Sequence, residues 1–391
     1  MDRYFNCTKS FAVIETLEPR ALMSGSLYGP GMPAPVVVGA KAAHASFLGS
    51  DVLSRLPATP QVNVATPPAN GDVNPYGVAF VPKGVARGGL LTAGDILVSN
   101  FNASSNNFQG TGTTIGIFTP SGQQSLFFQG QAGIGLTTAL GVIRSGFVFV
   151  GNMPTTDGTS DTVGQGSLIV LDKNGNQVLN LTDATNIDGP WDLAVNDAGS
   201  KPQVFVSNVL NGTVSRLDFK ISHGGKSIAL VKTTQIASGY THRSDPAALE
   251  LGPTGLAFDS HHNTLFVAST ADEAIYAIPK ASKATSSAGI GSLIFQDSTH
   301  LHGPLGLTQA PNGDLIVANG DALNADPNQP SELVEITRSG TFVSQFSIFS
   351  STGAPFGIAL ESSGKSISLA AVNDDNNMLQ IYSITKPAHG K

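Results

Sequence analysis

The side chains best suited to chemistry are a few histidines and carboxylates near the starts of apolar runs. His242 and Arg243 precede one such run together with Glu250, and His300 and His302 precede the next. A histidine beside a carboxylate can act as a general base, the carboxylate tuning its proton affinity. His302, Glu250 and His242 are therefore the catalytic candidates, with solvated loop histidines as the plainer alternative. Asp192 adjoins the only tryptophan, Trp191. That pair reads either as a polar anchor with an aromatic platform for a sugar or lactone, or as a buried carboxylate satisfied by backbone amides beside a packing indole. Oxygen ligands for a divalent cation such as Ca²⁺ could come from Asp192, or from Asp321 and Asp326 with Asn324 and Asn328, or from Asp157 and Asp161. None of these sets has EF-hand spacing, and exposed turn chemistry explains the loop acids equally well. The chain has no Gly-x-Ser-x-Gly elbow, no Walker A sequence and no His-Glu-x-x-His pair. Whether the protein is an enzyme stays open at this level.

The elements that must position these groups repeat. Six units open on Pro75-Tyr76-Gly77-Val78-Ala79, Ala139-Leu140-Gly141-Val142, Pro190-Trp191-Asp192-Leu193-Ala194, Pro253-Thr254-Gly255-Leu256-Ala257, Pro304-Leu305-Gly306-Leu307 and Pro355-Phe356-Gly357-Ile358-Ala359. Starts at 75, 139, 190, 253, 304 and 355 are 64, 51, 63, 51 and 51 residues apart, close to the length of one four-stranded propeller blade. After each opening come a second apolar strand, a third rich in β-branched residues and, in five units, an outer strand. The sixth unit runs out of chain after its third strand, and Gln61 to Thr66 can supply the missing one. The pattern predicts an all-β fold, a six-bladed β-propeller of four-stranded antiparallel blades over 59–385. Its closing strand is 61–66 and its blades are about 74–129, 136–182, 188–238, 251–297, 302–348 and 353–385. Residues 1–58, rich in Gly, Ala, Pro and Ser after position 24, read as an N-terminal motif and linker.

In such a propeller, loops entering the first strands and leaving the second strands share one face. The second strands end on Asn100, Asn152, Asn208, Ser269, Asn319 and Asn373. With Trp191 and Asp192 these asparagines form the candidate ligand-binding face. A ring of amides could hold a metal or a polar ligand; asparagines that bond the adjoining backbone would give the same pattern. The loops Phe101 to Thr113, Met153 to Gln165 and Gly320 to Pro330 are the long ones, and long loops on one face form a binding rim.

Whole-chain properties narrow the classes. The 391 residues carry a net charge of −7, and only 13% are charged, about half the usual share. That offers no footprint for nucleic acid, and no stretch approaches the ~18 apolar residues of a membrane span. A single cysteine, Cys7, excludes an intramolecular disulfide and a cysteine-based zinc site. No conventional signal peptide is visible.

The Pro-x-Gly-apolar-Ala opening followed by apolar-x-Val-small-Asn resembles the NHL-repeat and gluconolactonase-like six-bladed propellers, over about residues 60–384. That resemblance implies the fold, and an activity class of metal-dependent lactonases or hydrolases. The motif positions here lack the central Asn that gluconolactonases place in a Pro-Asn-Gly turn. His302-Gly303-Pro304 resembles the His-Gly-Pro loops of virginiamycin B lyase-like propellers, which have seven blades. Leu17-Glu18-Pro19-Arg20, then Leu22, with Met23 for the second Leu, resembles the LEPR-XLL motif of planctomycete-type surface proteins and implies an extracellular or cell-surface address. The leading expectation is a monomeric binding module for a protein, peptide or carbohydrate on its loop-rich channel face. A metal-dependent lactonase and a lyase-like activity are the alternatives.

Overall fold

The computed structural model describes residues 51–246, 248–320 and 332–385. It is a six-bladed propeller. Blade I consists of Val73–Phe80, Ile96–Asn102, Thr114–Phe118 and Gln124–Gln129, hydrogen-bonded in that order. Blades II to V repeat the plan, with inner strands Leu136–Val142, Pro190–Asn196, Pro253–Asp259 and Pro304–Gln309. Blade VI has Pro355–Ser363, Ser366–Asn373 and Met378–Thr385, and its fourth strand is Val62–Ala65 from the other end of the chain. Val62 pairs with Ile381 and Ala65 with Met378, antiparallel. The ring is thus closed by hydrogen bonds between its two ends, which cover the edge of Met378–Thr385.

Each inner strand breaks register just after the residue that lies opposite the strand-ending position of the second strand, Asn100 in blade I. In blade I, Pro75 lies opposite Asn100 and Val78 opposite Val98, with a bulge between. Blades III, IV and VI have the same three-residue step. Blade II differs from the sequence alignment. Leu136 lies opposite Asn152 and Leu140 opposite Val150, a four-residue step. Leu136 therefore stands where the other blades have Pro, not Ala139, one extra residue fills the bulge, and Gly141 takes the place of Ala79. The glycine of the motif is required by crowding at the axis. A Cβ on Gly357 would lie 2.2 Å from the Tyr76 carbonyl oxygen of the next blade, and one on Gly77 would lie 2.8 Å from that of Thr138.

Residues 51–58, which the sequence reading assigned to the linker, include a strap packed on the propeller. Val52, Leu53 and Leu56 are buried in a cluster with Leu333, Phe349 and Tyr382 of blades V and VI. Glu335 fastens the strap, its carboxylate accepting N–H groups of Val52 and Leu53 at 2.8 Å. Nothing local in 51–58 announces this, because the fastening residue is 283 positions away.

Candidate functional site

Opening-motif residues and second-strand ends meet on one face, as the pairing of Pro75 with Asn100 and Pro355 with Asn373 requires. The axis on this face is closed. Tyr76, Trp191, Leu305 and Phe356, each the residue after the motif proline, are buried there together. Phe101, Met153 and Val209, each the residue after the strand-ending asparagine, join them. Tyr76 stacks on Phe356 with centroids 3.8 Å apart and on Phe101 at 4.4 Å; Trp191 meets Phe101 edge-on at 5.9 Å. Sequence reasoning passed over this plug. Its signal was present in the apolar residues that follow Asn100, Asn152 and Asn208.

The asparagines are buried and mostly turned to the protein's own loops. Asn152 Oδ1 accepts the Gly135 N–H at 2.8 Å while its Nδ2 donates to Ser167. Asn208 Oδ1 accepts the Asp188 N–H, and its Nδ2 donates to the Asn186 carbonyl. Asn319 Nδ2 donates to the His300 carbonyl and to Glu332. Asn373 Oδ1 accepts the Asn376 N–H, and Ser269 donates to Asp272 in the one blade without an asparagine. In blades II, III and V the amide ties the loop entering the first strand to the end of the second. Asn100 differs: it is buried and both its amide atoms lack a hydrogen-bond partner.

Of the catalytic candidates, His242 acts electrostatically on Glu250, whereas His302 is bonded elsewhere. Glu250 is buried in a small hairpin of Arg243–Asp245 and Leu249–Leu251, where it accepts a hydrogen bond from Ser244. Burial raises its pKa against the opposing effects of Ser244 and His242. His242 contacts the Tyr240 carbonyl. His302 contacts the Thr299 carbonyl, whereas His300 pairs with Asp297 at 2.7 Å and stacks on Phe342. No hydrogen bond or ion pair joins His302 to Glu250 or His242. Among the described residues no three His, Cys, Asp or Glu side chains are grouped to hold a metal ion. Asp321 and Asp326, with Asn324 and Asn328, lie outside the described residues.

Trp191 and Asp192 are the two residues of the blade III bulge, between Pro190 opposite Asn208 and Leu193 opposite Val206, and they enter different surroundings. Trp191 joins the plug. Asp192 lies beyond it, in an axial chamber of about 210 Å³ reached from the opposite face of the ring. The chamber is walled by one apolar side chain per blade: Val78, Leu140, Leu193, Leu256, Leu307 and Ile358. Asp192 Oδ2 accepts the Leu256 N–H at 2.9 Å. A hard divalent cation takes six to eight oxygens; one carboxylate among aliphatic walls does not fit it.

Burial pushes the Asp192 carboxyl up to about 7, against amide donation from Leu256 and Leu193. Burial likewise raises Glu335 to about 7, against amide donation from Leu53 and Val52. In the unfolded chain both ionise near pH 4. Between about pH 4 and 7 the unfolded state has therefore lost protons that the folded state keeps. Stability is full below that window and falls as pH rises through it, at about 1.4 kcal/mol per pH unit for each group. Asp192→Asn removes one contribution. Urea midpoints measured from pH 4.5 to 7 should decline less steeply in the variant than in the wild type, and equal slopes would contradict the assignment.

Two of the long loops form a braced rim outside the plug. The Thr155 N–H donates to the Gly110 carbonyl at 2.8 Å, and its hydroxyl to the Gln109 carbonyl. Asp157 gathers the Thr159 N–H and the hydroxyls of Thr159 and Thr162, and the Thr162 and Thr159 donors hold its carboxyl below the usual range. Further round, the Gly189 N–H donates to the Gln165 carbonyl, which carries the bracing to blade III. Phe108 lies against Gly158 and is 40% exposed, the one aromatic among the large exposed apolar side chains of the described residues. The third long loop, 320–330, lies almost wholly outside the described residues.

No protein-family model matches the chain, and no curated protein sequence matches it. Solved structures of similar course include a luciferin-regenerating enzyme, 10% identical over 84% of this chain and 96% of that one, TM-score 0.46. They also include the calcium-binding protein regucalcin from Agrobacterium tumefaciens, 11% identical over 82% and 95%, TM-score 0.47. A gluconolactonase from Xanthomonas campestris is 13% identical over 82% and 98%, TM-score 0.43. The likeness is one of chain course and carries no chemistry with it.

Proposed function

We propose that this chain is an exported or cell-surface propeller, monomeric, that binds a peptide, protein or carbohydrate through the braced rim of its loop-rich face. The observation that carries this reading is the cross-linking of loops 103–113 and 153–165 around an exposed Phe108. A rigid aromatic on a polar surface ordered beforehand loses little entropy on binding, which is what hot spots require. The plug supports a contact on the rim and not down the axis. The surface address rests on Leu17 to Met23, and the net charge of −7 argues against a polyanionic partner.

The reading is tested on glycan and peptide arrays. Wild type should retain a defined subset of ligands, and Phe108→Ala should weaken them at least tenfold with an unchanged melting temperature, in line with the ~2 kcal/mol of a hot-spot aromatic. Undiminished binding by Phe108→Ala would sink it. Lactone hydrolysis that appears only with added Ca²⁺, Mn²⁺ or Zn²⁺ would favour the metal-dependent hydrolase instead.

A further inference from the structure

We propose that the axial chamber on the face opposite the loop rim binds a small primary alkylammonium ion, with Asp192 as its counter-ion. Asp192 occupies a motif position that is glycine in blades I, IV, V and VI and Ala139 in blade II, so it is the one motif position of the ring that brings a charged side chain to this level. Asp192 is 8% exposed and stands between the aromatic plug and the six apolar walls. The Leu256 and Leu193 N–H groups donate to its carboxylate, whose two oxygens have about four lone-pair sites, so acceptor capacity is left for a ligand. Thr138 also lines the chamber and is 5% exposed. Outward, the half-buried Phe80, Val195, Thr308 and Leu360 form a mouth.

This arrangement selects among ligand chemistries. The charged acceptor is a single carboxylate, and an ammonium group brings three donors to it. Aliphatic walls suit an unbranched carbon chain and give a sugar's hydroxyls nothing to bond. An anion is repelled. No Lys, Arg or His lines the chamber, and Asp192 is its only titratable group, so the charge the site lacks is a cation. By the share of volume a water takes in the liquid, 210 Å³ is room for about seven waters, enough for a four-carbon amine. The raised proton affinity of Asp192 fits a carboxyl awaiting such a partner, and the ligand must compete with that proton.

The test is calorimetric titration of the full chain at pH 8 with ethyl-, propyl- and butylammonium chloride, and with 1-butanol. Affinity should rise about fourfold per methylene. Butanol should bind at least tenfold more weakly than butylammonium, and Asp192→Asn should abolish that preference. The comparison of amine with alcohol needs no substitution, so it stands even if the variant fails to fold. In wild type, butylammonium affinity should fall as pH drops from 8 to 6, following protonation of Asp192. Equal binding of butanol and butylammonium, no saturable binding, or an amine preference retained in Asp192→Asn would overturn the proposal. Loop-rim variants such as Phe108→Ala should leave it untouched.

Discussion

Replacing Trp191 with alanine is expected to lower the free energy of unfolding by about 3–5 kcal/mol, the range for removing a buried indole. Trp191 is the largest of the fully buried side chains, 1% exposed, and it packs against Tyr76 and Phe101 at the point where inner strands of several blades meet. A hole at the axis is hard to refill, because the surrounding strands are fixed by their own blades and by the close approach at Gly77 and Gly357. The loss should be one of packing, since the indole Nε1 has no hydrogen-bond partner to forfeit. Trp191→Phe should accordingly recover more than half of it. Against a net stability of about 5–15 kcal/mol, the alanine variant would sit near the edge of folding. Urea titration followed by tryptophan-independent far-ultraviolet circular dichroism checks this, and a change below about 1.5 kcal/mol would show that the plug does not hold the ring together.

The second large effect is expected at the seam. A chain beginning at Pro67 lacks both the closing strand Val62–Ala65 and the strap that Glu335 holds. Blade VI is then left with three strands, and the strand Met378–Thr385 presents an unpaired edge flanked by the apolar Leu379, Ile381 and Tyr382. Burial of Val52, Leu53 and Leu56 is lost as well, at about 1.5–3 kcal/mol for each fully buried side chain. Size-exclusion chromatography should find larger assemblies than the parent chain forms, and any soluble fraction should melt at least about 10 °C lower. A monodisperse species of the parent's oligomeric state and melting temperature would mean that the ring does not depend on this closure.

How far the sequence could be read follows from the range of each interaction. The six blades and the closing strand were visible because strand periodicity and the Pro-x-Gly opening are local and repeat six times. Blade II was misaligned by a local accident: Leu136 replaces the proline, and an extra residue hides behind Ala139-Leu140-Gly141. The strap at Val52 and Leu53 was invisible because its partner, Glu335, is nearly the whole propeller away in sequence. The asparagines were found by position, but their partners are loops such as Gly135 and Asp188, which only folding brings alongside. Trp191 and Asp192 looked like one anchor because they are adjacent, but they are the residues of a bulge, and the indole joins the plug while the carboxylate lines the chamber.

Binding at the braced rim of the loop-rich face, outside a closed axis, is the function proposed for this chain. Hydrogen exchange of the full chain, with and without a ligand taken from the arrays, tests it directly. The expected result is slowed exchange in 103–113 and 153–165, lost in Phe108→Ala. Protection confined to the inner strands around Asp192, with the two loops unchanged, would contradict it.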